Sequence, residues 1–231
     1  MPQSISKKRI YFYLLILLFL SSTFNSTIIL KIKKLNLINH IKIIGLKGKE
    51  KNFLKNNLKI FINKNIFLVS REEIDLRLKN NTFVENYSII KIFPSRLLIN
   101  VKKTQFVGKT ILNGQKFYIG KNGKLTKNFL VEKEYNLPQI FGNFEVNEFL
   151  KLREILNING FNLNKIKKYY YYKNKRWDIT NIDNIILRLP SHDVKESLKN
   201  YTSLLKANKI TAGKLIDLRM KNKIIITNEK R

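Results

Sequence analysis

From Ile10 to Leu30 the chain reads IYFYLLILLFLSSTFNSTIIL, 21 residues without a charge. Nothing else in the sequence narrows the possible folds as much. As a helix this run would rise about 31 Å at roughly 1.5 Å per residue. That matches the roughly 30 Å of hydrocarbon in a bilayer. Lys7, Lys8 and Arg9 precede it, and Lys31, Lys33 and Lys34 follow. Ile10, Leu14, Leu17, Leu20 and Ile28 are the expected membrane-anchor residues. Ser21, Ser22, Thr23 and Thr27 can return their hydroxyls to helix carbonyls, which makes them tolerable in lipid. Two readings fit. One is an uncleaved anchor. The other is a signal peptide with its apolar region at 10–20 and cleavage near Ser21-Ser22-Thr23. The apolar run weakens after Leu20, as the second requires. Apolar character resumes at Phe24 and Ile28–Leu30, and threonine suits a cleavage site poorly, so the anchor is preferred. Lys7, Lys8 and Arg9 form a short basic head that should stay in the cytoplasm, with the bulk of the chain exported.

The 231 residues suffice for one large domain or two small ones. There is no cysteine, which excludes a disulfide framework, a thiolate metal site and a cysteine nucleophile. With only His40 and His192, a zinc or iron site would have to draw on the 16 acidic residues spread along the chain. No metal or other cofactor is expected. A net charge of +29 first suggests nucleic acid. However, Lys, Asn and Ile are abundant everywhere, as an A+T-rich genome would produce, and no basic cluster interleaved with stacking aromatics stands apart. Export makes nucleic acid an improbable partner. A basic surface would still favour anionic lipid heads or acidic partners.

After the run, HIKIIG (40–45) alternates as a short strand closed by glycine. KEKNFLKNNLKIFI (49–62) places Leu54, Leu58, Phe61 and Ile62 on one helical face. SREEIDLRLKN (70–80) carries a capping box, Ser70 with Glu73, with Glu72 and Glu73 at the positive end of the helix dipole and Ile74 and Leu78 as a buried stripe. ENYSIIKIF (85–93) is rich in β-formers. RLLINVKKT (96–104) sets Leu97, Ile99 and Val101 against Leu98, Asn100 and Lys102. Pro94-Ser95 falls between those two strands. A proline lacks the N–H a paired strand needs, so it marks the hairpin turn. The expected order is strand, helix, helix, strand, strand.

That order resembles a POTRA domain, and KIFPSRLLINVKKTQFVG (91–108) resembles the hallmark of the bacterial FtsQ/DivIB cell-division family. The family pattern there runs basic residue, x, aromatic, Pro, x, x, Leu, x, Ile, x, Val. The chain keeps Lys91, Phe93, Pro94, Leu97, Ile99 and Val101, and departs at Lys102, Lys103 and Gln105, where Glu, Arg and Pro are usual. TILNGQKFYIGKNGKLTKN (110–128) has turn signals at Asn113-Gly114 and Asn122-Gly123. LPQIFG (137–142) is similar to another family signature. FEVNEFLKLREIL (144–156) reads as a helix with Phe149, Leu152 and Leu156 on one face. KIKKYYYYK (165–173) and RWDITNIDNIILRLP (176–190) read as strands, with Trp177 at a family tryptophan. SHDVKESLKNYTSLLKAN (191–208) reads as a helix capped by Ser191. LIDLRMKNKIIIT (215–227) ends the chain in strands, and Ile216-Asp217-Leu218-Arg219 resembles the family's C-terminal motif.

The expected fold class is therefore α+β. It comprises a head (1–9), a transmembrane helix (10–30), a POTRA domain of βααββ order (38–104), a β-rich domain with a mostly antiparallel sheet flanked by helices (105–227) and a tail (228–231). No catalytic constellation is found. Ser191-His192-Asp193 are consecutive, so their side chains diverge by about 100° on a helix. GKNG (120–123) lacks a following helix to cradle phosphate. Alternation in KNKIIIT (221–227) points Ile224 and Ile226 inward and Ile225 outward. The last strand is then either covered by a helix or loop, or is a sheet edge awaiting a partner strand. The resemblance implies the latter, with FtsB and FtsL binding through Arg219, Met220, Asn222, Ile224, Ile225 and Ile226. By family analogy FtsK, FtsA or FtsW contact the anchor-proximal part. The implied function is a non-enzymatic divisome scaffold at the septum, in the inner membrane with a periplasmic body and no small-molecule substrate. The alternative is a POTRA-bearing component of secretion or outer-membrane assembly.

Overall fold

The structure is a computed structural model that describes residues 7–22, 36–206, 212–221 and 223–228. Lys7–Ser22 form helix α1, and its side chains from Lys7 to Ser21 are exposed. Ser21 Oγ donates to the Leu18 carbonyl at 2.9 Å, the back-bonding that lets a serine sit in an apolar helix. Among the described residues no helix is long and apolar enough to cross a membrane. The rest of the uncharged run, 23–30 with Ile28, lies outside the described residues, as does Asn222.

The chain divides into two compact units. The first comprises 1–44, 55–77 and 88–100; the second comprises 45–54, 78–87 and 101–231. The elements from His40 to Lys103 appear in the order expected. They are β1 (His40–Ile44), α2 (Gly48–Leu58) extended by a 3-10 turn (Lys59–Phe61), α3 (Arg71–Lys79), β2 (Val84–Ile92) and β3 (Arg96–Lys103). The strands form a sheet of order β1-β3-β2, with β1 parallel to β3. Within the first unit Ile41, Ile43, Leu58, Phe61, Ile74, Leu97 and Ile99 are buried, each contributing about 1.5–3 kcal/mol relative to exposure. Ser70 Oγ accepts from the Glu73 N–H at 3.1 Å, so the expected cap starts α3. Pro94 lies in the turn between β2 and β3, and the Phe93–Pro94 bond is cis.

The second unit is built on a nine-stranded sheet. Its strands are β4 (Phe106–Leu112), β5 (Gln115–Gly120), β6 (Leu125–Lys127), β7 (Gln139–Phe141), β8 (Ile166–Tyr171), β9 (Trp177–Asn181), β10 (Ile186–Arg188), β11 (Lys214–Asp217) and β12 (Ile225–Asn228). They lie in the order β12-β11-β10-β9-β8-β7-β4-β5-β6. Asn113 and Gly114, with φ of 48° and 74°, make the tight β4–β5 turn that their identity signals. Most neighbours are antiparallel, but β4–β7, β7–β8 and β10–β11 are parallel. Parallel neighbours need a crossover. Helix α4 (Val146–Ile158) supplies it between β7 and β8, and helix α5 (Val194–Lys206) between β10 and β11.

Both crossover helices cover the same face. Phe149, Leu152 and Leu156 of α4 and Leu198 and Tyr201 of α5 join Tyr169, Trp177, Ile179, Leu187 and Ile216 in one core. Phe149 meets Tyr169 edge-on at 5.1 Å between ring centroids, a favoured aromatic geometry. Burial pushes the Tyr169 hydroxyl up to about 12. The start of α5 corrects one expectation. The helix begins at Val194, so Asp193 rather than Ser191 occupies the cap position. Asp193 adopts φ 56°, a conformation a short polar residue tolerates, and its carbonyl accepts from the N–H groups of Glu196 and Ser197. Ser191 lies two residues too early to reach the first turn.

Candidate protein-binding edge

The end of the large sheet begins at β10. Helix α5 carries the chain back to lay β11 parallel beside it, pairing Ile186 with Leu215, Leu187 with Ile216 and Arg188 with Asp217. After Asp217 the chain reverses. Strand β12 then returns antiparallel to β11, pairing Asp217 with Ile225, Ile216 with Ile226 and Leu215 with Thr227. Among the described residues β12 has no further neighbour in the sheet. An edge strand of this kind leaves alternate N–H and C=O groups pointing away from its partner.

The reversal is fixed by Asp217 and Arg219. Asp217 is buried, and its carboxylate accepts from the Arg219 backbone N–H at 3.0 Å. It also receives the Arg219 guanidinium, with Nε 2.8 Å from both oxygens and the terminal nitrogen on Oδ2. The Arg219 guanidinium holds the Asp217 carboxyl below the usual carboxylate range, helped by the backbone N–H and by the nearby charge of Arg188. Aspartate two residues before arginine thus closes a local ring that steers the chain from β11 toward β12.

Strand register extends this chemistry across the sheet. On the face away from the helices, one row runs Phe141, Tyr170, Asp178, Arg188, Asp217, Ile225, from β7 to β12. Phe141 and Tyr170 stack at 4.9 Å. Asp178 is buried between Arg176 Nε at 3.2 Å and Arg188 Nε at 3.8 Å. Burial pushes its carboxyl up, while Arg176 and Arg188 pull it down. Acid and base therefore alternate along β9, β10 and β11, and the row ends on an isoleucine. Nothing in the sequence alone points to Asp178 and Arg188 as a pair. The alternation in WDIT places Asp178 opposite Trp177, but their adjacency depends on register between distant segments.

Of the other residues singled out in the sequence, Met220 is 52% exposed, and Ile225 and Ile226 are 43% and 40% exposed. Ile224 is half-buried against the core. Ile226 shares the face of the fully buried Ile216, as alternation requires, but among the described residues it has no sheet neighbour on its outer side, and it stays 40% exposed. Lys7, Lys8 and Arg9 form the first turn of α1, and Ile10, Leu14, Leu17 and Leu20 lie exposed along it. Leu97, Ile99 and Val101 are buried in β3, whereas Phe93 is exposed at the turn. His40 and His192 are exposed and far apart in sequence. Among the described residues no group of three or more His, Cys, Asp or Glu side chains could hold a metal ion.

The family description "Cell division protein FtsQ/DivIB, C-terminal" matches residues 111–219, from β4 to Arg219. Curated relatives include cell division protein FtsQ of Rickettsia bellii, 28% identical over 169 residues, and that of Rickettsia conorii, 27% identical over 169 residues. Each match covers 70% of this chain and 61% of the relative, so the chain spans about three fifths of the length of those proteins. FtsQ of Bradyrhizobium diazoefficiens is 20% identical over 156 residues, covering 65% of this chain and 44% of that relative. A solved structure of the major extracytoplasmic domain of the cell division protein DivIB from Geobacillus stearothermophilus covers 48% of this chain and 99% of its own, at 12% identity and a TM-score of 0.32.

Proposed function

Because this chain belongs to the FtsQ/DivIB family of cell division proteins, we propose that it is a non-enzymatic scaffold of the division machinery. It is held in the inner membrane by the uncharged run at 10–30 and docks other division proteins on its exported body. The observation that carries this reading is the position of β12 at the end of the large sheet, with Ile225 and Ile226 exposed. A partner strand added there would satisfy the outward backbone groups and cover both isoleucines. The Asp217–Arg219 ring aims the edge, and the charged row behind it offers a polar rim.

The partners are FtsB and FtsL, which take the β12 edge. FtsK, FtsA or FtsW meet the part of the chain closest to the anchor. Membrane confinement supports the mechanism, because it raises effective concentration and lets modest contacts suffice. The α1 side chains from Ile10 to Leu20, all apolar or aromatic and all exposed, are suited to lipid and not to water. No step of this function involves a covalent change, a cofactor or a small-molecule substrate.

Co-purification of the full chain with FtsB–FtsL tests the reading. Ile225→Glu, or truncation after Met220, is expected to abolish recovery of the partners while the chain stays folded by Trp177 fluorescence. Recovery equal to wild type with either variant would remove the edge from the account.

A further inference from the structure

A second exposed surface lies in the first unit, where the described body begins. Ile66 N–H donates to the Asn36 carbonyl at 3.0 Å, Ile38 N–H donates to Lys64 at 2.9 Å, and Leu37 bridges Asn65. The entering chain is thereby zipped onto the loop that follows the 3-10 turn. The next residues of that loop, Phe67 and Leu68, are 59% and 70% exposed. Asn65 Oδ1 accepts from the Phe67 N–H at 2.9 Å and fixes the direction of the loop. Phe93, from the β2–β3 turn, is 53% exposed. It stacks on Phe67 with centroids 4.7 Å apart and planes 19° apart. The Lys91 amine donates to the Val69 carbonyl at 2.7 Å, tying β2 to the loop beside the stack. Three large apolar side chains from two segments thus form one braced, uncovered knob. Such a cluster marks a contact surface.

The length of the connecting chain identifies the occupant. Five residues, 31–35, separate the end of the uncharged run at Leu30 from Asn36. Even fully extended, that connection reaches only about 20 Å. Three of the five are lysines, Lys31, Lys33 and Lys34. The exposed side chains of Lys64, 4.0 Å from Glu73, and Arg96 lie beside the knob in sequence. Aromatic rings with basic neighbours suit the headgroup layer of an anionic membrane.

We propose that Phe67, Leu68 and Phe93 form a lipid-docking knob that seats the first unit on an anionic bilayer surface next to the anchor. The inference rests on the anchoring proposed above. Docking would hold the first unit against the membrane instead of leaving it to pivot on its connection.

The absence of cysteine allows a clean test. The full chain carrying Leu68→Cys, labelled with an environment-sensitive fluorophore, is reconstituted in phosphatidylglycerol vesicles containing lipids with a nitroxide in the acyl chain. Lys116→Cys, on the exposed β4–β5 hairpin, is the control. Loss of emission is expected at position 68 and not at 116, smaller in phosphatidylcholine vesicles and reduced by adding Phe93→Ser. An alkaline wash separates the two layers of the argument. If the chain stays with the vesicles and position 68 is unquenched, or if 68 and 116 respond alike, the knob proposal is overturned and the anchor stands. If the wash releases the chain, both are overturned. A label shielded only when FtsB–FtsL is added assigns the knob to a protein and also overturns the lipid reading.

Discussion

Replacing Arg219 by alanine removes the guanidinium that closes the turn from β11 to β12. The Asp217 carboxylate, with its side chain 9% exposed, would keep only the backbone N–H at 3.0 Å and the more distant Arg188 charge. A hydrogen bond to a charged group contributes about 1.5–3 kcal/mol net, whereas a fully exposed ion pair contributes about 0–1 kcal/mol. The Arg219 side chain is 40% exposed, which places the expected loss between these, at about 1–2 kcal/mol. The loss should depend on pH. Asp217 has a depressed folded pKa, so its contribution is fully present above the unfolded value of about 3.9 and disappears as pH falls through the folded value. The gap between wild type and Arg219→Ala should therefore be constant from pH 7 to about 5 and close below about 4. Urea unfolding followed by the fluorescence of Trp177, the single tryptophan, in the core that includes Ile216, reads this directly. No difference at pH 7, or a difference that persists undiminished at pH 3, would refute the assignment of Asp217 and Arg219 as a charge-assisted pair.

Phe149→Ala empties the centre of the core between α4 and the sheet and should cost about 3–5 kcal/mol, read as a shift of the urea midpoint. Gly142 and Gly160 both have positive φ, so alanine at either should cost about 1–2 kcal/mol. An alanine Cβ at 142 would lie 2.3 Å from the Tyr171 carbonyl oxygen, whereas one at 160 meets nothing within 4 Å. Gly142→Ala should therefore lose about 1–3 kcal/mol more than Gly160→Ala, and equal losses would contradict the close approach of β7 to β8.

What the sequence disclosed was mostly local. Asn113-Gly114 dictates its turn through backbone conformation alone, and the alternation of Leu97, Ile99 and Val101 reports which face of β3 is buried. The spacing of Phe149, Leu152 and Leu156 announces a helix stripe without reference to anything distant. Pairing between remote segments was not legible. Nothing near Gln139 reveals that β7 lies parallel to both β4 and β8, because that order depends on the crossover through α4. The same limit hid the Asp178–Arg188–Asp217 row, assembled from three strands spread over forty residues of chain. Ile226 shows the limit of alternation, which gives the face of a strand but not whether the sheet continues beyond it. Phe67 is silent in the sequence because an apolar residue in a loop has no period to betray it, and only the fold places Phe93 in a stack upon it.

Hydrogen–deuterium exchange of the full chain, with and without FtsB–FtsL, tests the central claim most directly. The account predicts that outward-facing amides within Ile225–Asn228 exchange rapidly in the free chain and become protected when the partners bind, while β6, at the opposite end of the sheet, is unaffected. Unchanged exchange along β12 in a formed complex would contradict it.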